Sequence, residues 1–132
     1  MYQLILRGAR LADEVVDVGI EQGRIGRIAA RIEGQAEYEI EAEDRLVSPP
    51  FIESHVHLDT TLTAGEPRWN ESGTLFEGIG IWSERKKSLT HDDVVARATQ
   101  LLRWQAAQGV LHVRTHADVT DPEFTGLKAN TV

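Results

Sequence analysis

The sequence predicts an α/β chain that starts with a small β-layer and continues as the front of a (β/α)8 barrel. Short apolar runs fill residues 1–47, two prolines interrupt them, and a strand, two helices and a second strand follow. Two strands separated by helices imply a parallel pair with a right-handed crossover. A barrel unit takes roughly 30 residues. We therefore expect an incomplete TIM-type barrel of one to three strand–helix units, preceded by a small N-terminal β-sandwich portion.

The N-terminal layer is predicted from short runs of apolar or alternating residues. Strands are expected at residues 3–7, 15–20, 24–28 and 37–40, the first ending at Gly8. A tight turn at Glu21-Gln22-Gly23 would join the second and third strands. The Pro49-Pro50 pair cannot continue a ladder and marks a boundary. The predicted domains are residues 1–48, as part of a composite β-sandwich, and residues 49–132, as the truncated start of the barrel.

Beyond the prolines, the apolar period changes from that of strands to that of helices. Residues 60–72 form a long polar connection, and Leu75, Ile79 and Trp82 follow at helical spacing. The clearest helix is residues 90–108, with Thr90 as cap and Asp93 at the capping-box distance. A second barrel strand at residues 110–116 and a helix starting near residues 121–122 complete the chain.

Several residue types suit packing or solvent exposure without any further role. Trp69, Trp82 and Trp104 are expected to pack, and residues 84–87 to form a solvated helix face. Arg114, on the polar face of the second barrel strand, needs a partner, for which Glu53 on the neighbouring strand is the candidate.

Composition excludes several functional classes. The net charge of −7 argues against a nucleic-acid-binding surface. The absence of cysteine excludes disulfides, thiolate metal sites and the cysteine-ligated zinc deaminase signature. No apolar run reaches the length of a membrane span, and the N-terminus lacks the features of a signal peptide. We expect a cytoplasmic protein with no membrane partner.

Two histidines one residue apart carry the main chemical hypothesis. His55 and His57 end an apolar strand and therefore share one of its faces. Two imidazoles on one face form half of a first-row metal site, whereas a catalytic centre needs at least three protein ligands. The alternative is a pair of polar residues bonded to backbone or water.

Three further side chains are candidates for orienting a ligand or lining the pocket. Asp59 could accept the second N–H of a ligating imidazole, or it could cap a loop. His116 and Asp118 follow the second barrel strand, at the end where barrel active sites gather. A lone histidine there is more often a hydrogen-bonded structural residue than a ligand.

The chain resembles the amidohydrolase superfamily, and within it the amidohydrolase-type cytosine deaminases. The resemblance rests on segments 49–57 (PPFIESHVH), 57–61 (HLDTT), 72–79 (SGTLFEGI) and 112–116 (HVRTH). Pro50 and Glu53 depart from the general superfamily pattern, which has Gly and Asp there, but they match this branch. The similar segments extend over nearly the whole chain.

The resemblance implies hydrolysis of a C–N bond other than a peptide bond, converting cytosine to uracil and ammonia in pyrimidine salvage. It implies a divalent metal, Fe²⁺ or Zn²⁺, on His55 and His57, and it places Leu75 at the substrate pocket. The substrate would be a nucleobase or a similar cyclic amidine. Full-length relatives are expected to be homo-oligomers.

The family's remaining ligands and its general acid/base have no counterpart here and are expected beyond Val132. No catalytic residue is therefore assigned within the chain, the metal site is incomplete, and the isolated chain is predicted to be inactive. Two alternatives stay open: an amidohydrolase acting on another cyclic amide or amidine, such as isocytosine, creatinine or a triazine, and a non-enzymatic fragment that acts only through a partner chain.

Overall fold

A computed structural model describes residues 1–131 of the 132-residue chain. The chain divides into two compact units, the first spanning Met1–Pro49 and the second beginning at Pro50. The first unit is a β-sheet, whereas the second combines strands and helices. Their assignment to a composite sandwich and to the start of a barrel stays a prediction.

The first unit is a four-stranded mixed sheet. Its strands are β1 (Tyr2–Leu11), β2 (Glu14–Glu21), β3 (Arg24–Ala29) and β4 (Ala36–Glu41), in the order β3-β2-β1-β4. β1 and β2 pair antiparallel, as do β2 and β3, and β4 lies parallel to β1. Gln22 and Gly23 join β2 to β3 with positive φ at both residues (51° and 70°), as a two-residue hairpin turn requires.

Gly8 does not end the first strand as predicted. β1 continues through it and advances three residues, from Leu6 to Ala9, while β2 advances two, from Val18 to Val16. This β-bulge contains Gly8 at φ +60°, a conformation that side chains with a Cβ rarely adopt. The glycine therefore bends the strand and does not terminate it.

The core of the first unit includes one cluster of buried apolar residues, and Ile5 and Ile32 are fully buried outside that cluster. Ala9, Val16, Val18 and Ala42 are buried together. On β1, Arg7 pairs with Asp17 at 2.7 Å and with Glu39 at 2.9 Å. Three hydrogen bonds received by Asp17, from Arg7, Gly8 and Ile32, compensate for its burial.

The second unit contains the predicted parallel strand pair. Its elements are β5 (Phe51–Val56), α1 (Leu75–Arg85), a single 3-10 turn (Lys86–Ser88), α2 (His91–Ala107), β6 (Val110–Thr115) and α3 (Thr125–Ala129). β5 and β6 are parallel, and α2 packs against β6 and α3. Val94 and Ala98 are the buried residues of α2. The assignment of this unit to an incomplete (β/α)8 barrel remains a prediction.

Helix starts differ from the prediction in two places. Thr90 caps α2 by accepting the N–H of Asp93, but the Asp93 carboxylate binds Arg85 and Arg97 and makes no capping box. The last helix starts at Thr125, because Asp121 accepts the N–H groups of Glu123 and Thr125 and holds the preceding residues in a turn. Within residues 1–131, no helix is long and apolar enough to cross a membrane.

Candidate active site

His55 and His57 lie at the carboxyl end of β5, with ring centroids 5.6 Å apart. A second bulge shapes this end, because β5 advances three residues from Glu53 to Val56 while β6 advances two. Glu53 accepts the His55 N–H at 2.9 Å within this bulge. A bulge next to a site re-aims a side chain, which here is His55.

The Glu53 carboxylate therefore serves the backbone of its own strand. The predicted Arg114–Glu53 pair is wrong: in the part of the chain that the structure describes, Arg114 makes no ion pair within 4 Å. Arg114 is exposed on β6, so solvent compensates its charge.

A third imidazole joins the pair. The His116 ring lies 4.2 Å from that of His55 and 5.6 Å from that of His57. The end of β6 is fixed next to the end of β5 by the His116 N–H, which donates to the Val56 carbonyl at 2.8 Å. Burial lowers the pKa of His116, and the nearby positive charges of His55, Arg114 and His57 lower it further.

This donor set suits part of a metal site. Imidazole nitrogen is a ligand that iron and zinc both accept. No group of three or more His, Cys, Asp or Glu side chains within residues 1–131 is arranged to hold a metal ion. His55 and His57 could supply two imidazole ligands, and a catalytic metal centre needs at least three protein ligands.

Asp59 is one of the most buried polar residues of the second unit, with 1% of its surface exposed. Its Oδ2 accepts the backbone N–H of Asp118 at 2.7 Å, so it bonds a distant segment and does not cap its own loop. Within residues 1–131 its Oδ1 has no hydrogen-bond partner, and it lies 3.9 Å from His57 Nδ1.

Asp118 joins the end of β6 to α1. Its carboxylate accepts hydrogen bonds from Trp82 Nε1 at 2.6 Å, from Lys86 Nζ at 3.0 Å, and from the N–H and hydroxyl of Thr120. Burial raises the pKa of Asp118, but the hydrogen bonds from Thr120, Trp82 and Lys86 outweigh it and hold that pKa well below its usual range.

A cleft of about 890 Å³ opens beside His57. The predicted helical stripe of α1 faces the cleft, because Leu75, Ile79 and Trp82 all line it. The buried residue of α1 is Ile81. Leu75 is 75% exposed within the cleft wall. Trp69, expected to pack, is also exposed there.

Ion pairs fix the long loop that forms the opposite wall. Arg85 joins Glu66 at 2.8 Å to Asp93 at 3.0 Å, and Arg68 binds Glu77 and Glu84 on α1. The prediction of a solvated face at residues 84–87 is wrong for Arg85 and Lys86, whose side chains are only 11% and 18% exposed.

Comparison with known proteins identifies the chain's relatives. The model of the Amidohydrolase family matches residues 38–130 of this chain. The chain belongs to the amidohydrolase family. Proteins of this family are hydrolases acting on C–N bonds, and the predicted resemblance is confirmed.

Among solved structures, 5-methylcytosine deaminase from Klebsiella pneumoniae, liganded with 5-fluorocytosine, is similar to this amidohydrolase. The TM-score is 0.84 with 46% identity, covering 96% of this chain and 32% of that one. N-isopropylammelide isopropylaminohydrolase from Burkholderia multivorans gives a TM-score of 0.75 and 29% identity, over 98% of this chain and 33% of that one.

A curated relative is the N-isopropylammelide isopropyl amidohydrolase of Pseudomonas sp. (strain ADP). It is 36% identical over 124 residues, which are 89% of this chain and 31% of that protein. This amidohydrolase chain therefore spans about a third of the length of the relatives it matches.

Sequence reasoning missed Trp82, Lys86 and Arg85 as residues that shape the site of this amidohydrolase. Apolar residues at i, i+4 and i+7 form one face of a helix, whether that face packs in a core or lines a cleft. The spacing alone therefore does not distinguish the two. A usable signal was the ERKK run directly after that stripe, since long cations there can reach carboxylates at a strand end.

Proposed function

We propose that this chain supplies the metal-binding histidines and the cleft walls of an amidohydrolase that deaminates cytosine or a closely related pyrimidine. Ammonia and the oxo product would be released. The 46% identity with a 5-methylcytosine deaminase over 96% of this chain supports the substrate class.

One observation carries the proposal. His57, beside His55 at the carboxyl end of β5, lines the same cleft as Leu75 on α1. The carboxyl ends of barrel strands are where the active sites of (β/α)8 enzymes form. We propose accordingly that the second unit is the start of such a barrel, and that the first unit is part of a composite β-sandwich.

His55 and His57 would hold a divalent metal, Fe²⁺ or Zn²⁺. When bound, such a metal lowers the pKa of water and supplies a hydroxide nucleophile near neutral pH. The chain's other contributions are to binding: the apolar wall around Leu75 and Ile79 would contact the ring face of a planar heterocycle and exclude water from it.

The residues of this chain do not suffice for turnover. Two carboxylates line the described cleft, and both are engaged: Glu66 with Arg85, and Asp118 with Lys86 and Trp82. A proton shuttle needs a carboxyl group that is free to exchange its proton with the substrate. We propose that the whole protein's activity requires further ligands and a general acid/base besides the residues of this chain.

A second substrate class has its own support. The 36% identity with an N-isopropylammelide isopropyl amidohydrolase favours hydrolysis of another amino-substituted ring as the alternative.

Amine release tests both the function and the alternative: ammonia is measured with cytosine and 5-methylcytosine, and isopropylamine with N-isopropylammelide. A whole protein that contains this chain should turn over cytosine or 5-methylcytosine fastest, whereas preference for N-isopropylammelide would establish the alternative. The purified 132-residue chain should turn over none of them. Deamination by that chain alone would refute the proposal that activity requires further ligands and a general acid/base.

A further inference from the structure

Asp59 is held rigidly, and one of its two oxygens is left without a donor. Oδ2 is fixed by the N–H of Asp118, and only 1% of the residue is exposed. Oδ1 is buried and has no hydrogen-bond partner in the part of the chain that the structure describes. Buried carboxylate oxygens are nearly always hydrogen-bonded, so a group that approaches Oδ1 is expected.

His57 is the group that faces this oxygen. Its Nδ1 lies 3.9 Å from Oδ1, too long for a hydrogen bond but close enough for a small ring rotation to form one. His57 is 44% exposed and has room to rotate, whereas Asp59 does not. Bulk solvent does not satisfy Oδ1 in place of the imidazole, because that atom is buried.

We propose that Asp59 is a positioning residue that selects the Nδ1–H tautomer of His57 and thereby leaves Nε2 free as the metal-binding nitrogen. This inference rests on the proposed function in one respect, namely that His57 is a ligand. A carboxylate accepts but cannot donate, so Nδ1 must carry the proton whenever the two groups meet. The second nitrogen is then unprotonated, which metal binding requires.

Substitution of Asp59 by Asn should reverse the tautomer of His57 without changing the shape of the side chain at position 59. The amide oxygen must stay on the Asp118 N–H, because an amide N–H placed there would face another donor. The NH₂ group then faces His57 and needs an acceptor. Nδ1 loses its proton, Nε2 gains it, and the metal-binding nitrogen is blocked.

Gly126 on α3 gives a second, independent way to disturb Asp59. A Cβ at Gly126 would lie 2.8 Å from Asp59 Cβ and 2.9 Å from its Oδ2, so Gly126→Ala must displace the carboxylate or the helix. Gly80→Ala is the matched control, because a Cβ there meets no atom within 4 Å.

The test reads the tautomer of His57 in metal-free protein, by two-bond ¹⁵N–¹H correlations at a pH of about 8.5, where imidazoles are neutral. The signal is assigned by its loss in His57→Gln. We expect Nδ1–H in the native chain and in Gly80→Ala, and Nε2–H in Asp59→Asn. An Nε2–H tautomer in the native chain overturns the proposal, whether or not any variant folds.

Zn²⁺ titration by calorimetry supplies the second readout. Asp59→Asn should weaken Zn²⁺ binding by about 10- to 100-fold. Gly126→Ala should weaken it in the same direction, and Gly80→Ala should leave it within about twofold. Unchanged affinity in Asp59→Asn contradicts the proposal. An Nδ1–H tautomer in a chain that binds no Zn²⁺ supports the positioning role and counts against the proposed metal function.

Discussion

The substitution Asp118→Asn tests how firmly α1 is tied to the end of β6. Each carboxylate oxygen of Asp118 accepts two hydrogen bonds, Oδ1 from Thr120 and Oδ2 from Trp82 and Lys86. Whichever oxygen becomes NH₂, it faces donors, and the Lys86 ammonium loses its counter-charge. An unsatisfied buried donor costs about 1–3 kcal/mol, and the Asp118 side chain is 18% exposed. We expect a loss of about 2 kcal/mol in the free energy of unfolding.

Tryptophan fluorescence during urea unfolding measures this loss. All three tryptophans lie in the second unit, so the signal reports on the unit that contains Asp118. Asp92→Asn is the control, because that side chain is fully exposed, and it should change stability by less than about 0.5 kcal/mol. Equal stabilities of the two variants would refute the view that Asp118 anchors α1.

Three other substitutions test different parts of the structure. Val94→Ala, at a fully buried position on α2, should cost about 2 kcal/mol by urea unfolding, and the exposed Val119→Ala less than about 0.5. Gly8→Ala should cost about 1 kcal/mol by circular dichroism, because φ is +60° there; an unchanged midpoint would contradict the bulge. Hydrogen bonds from the side chain and backbone of Ser72 lower the pKa of Glu77 from 4.5 to about 2, so the stability it contributes is present above about pH 4.5 and lost as pH falls towards 2. Glu77→Gln should therefore flatten the urea midpoint across that range, and an unaltered pH profile would argue against the Ser72 contacts.

Local patterns predicted most elements of the fold. The alternation of residues 15–20 and the Gln22-Gly23 turn correspond to β2 and its hairpin, and Thr90 caps α2 as expected. These features depend on residues within one turn or one strand, which a single sequence displays. The β5–β6 pairing followed from the handedness and length of a helical crossover.

Features that depend on distant residues could not be predicted in the same way. A glycine at position 8 is compatible both with the end of a strand and with a bulge. Only the register of β1 with β2 distinguishes the two. Asp93 stands at a capping distance, but two arginines compete for it. The contacts of Lys86 and Trp82 with Asp118 span more than 30 residues.

In the candidate site, too, local features could be predicted from the sequence and long-range contacts could not. His55 and His57 are adjacent on one strand, so their proximity followed from strand geometry alone. His116 joins them from β6, and Asp118 reaches Asp59 across 59 residues. The sequence nominated all these residues, but the hydrogen bonds that relate them depend on tertiary structure.

Zn²⁺ binding by histidine variants tests the central claim, that His55 and His57 are metal ligands, most directly. Calorimetry on the native chain should detect one weak site, because only two of the ligands are present. His55→Gln and His57→Gln should each weaken binding by more than the roughly tenfold that loss of an outer hydrogen-bond partner costs. His91→Gln, at an exposed position on α2, should bind as the native chain does. Equal affinity in all four proteins would contradict the claim.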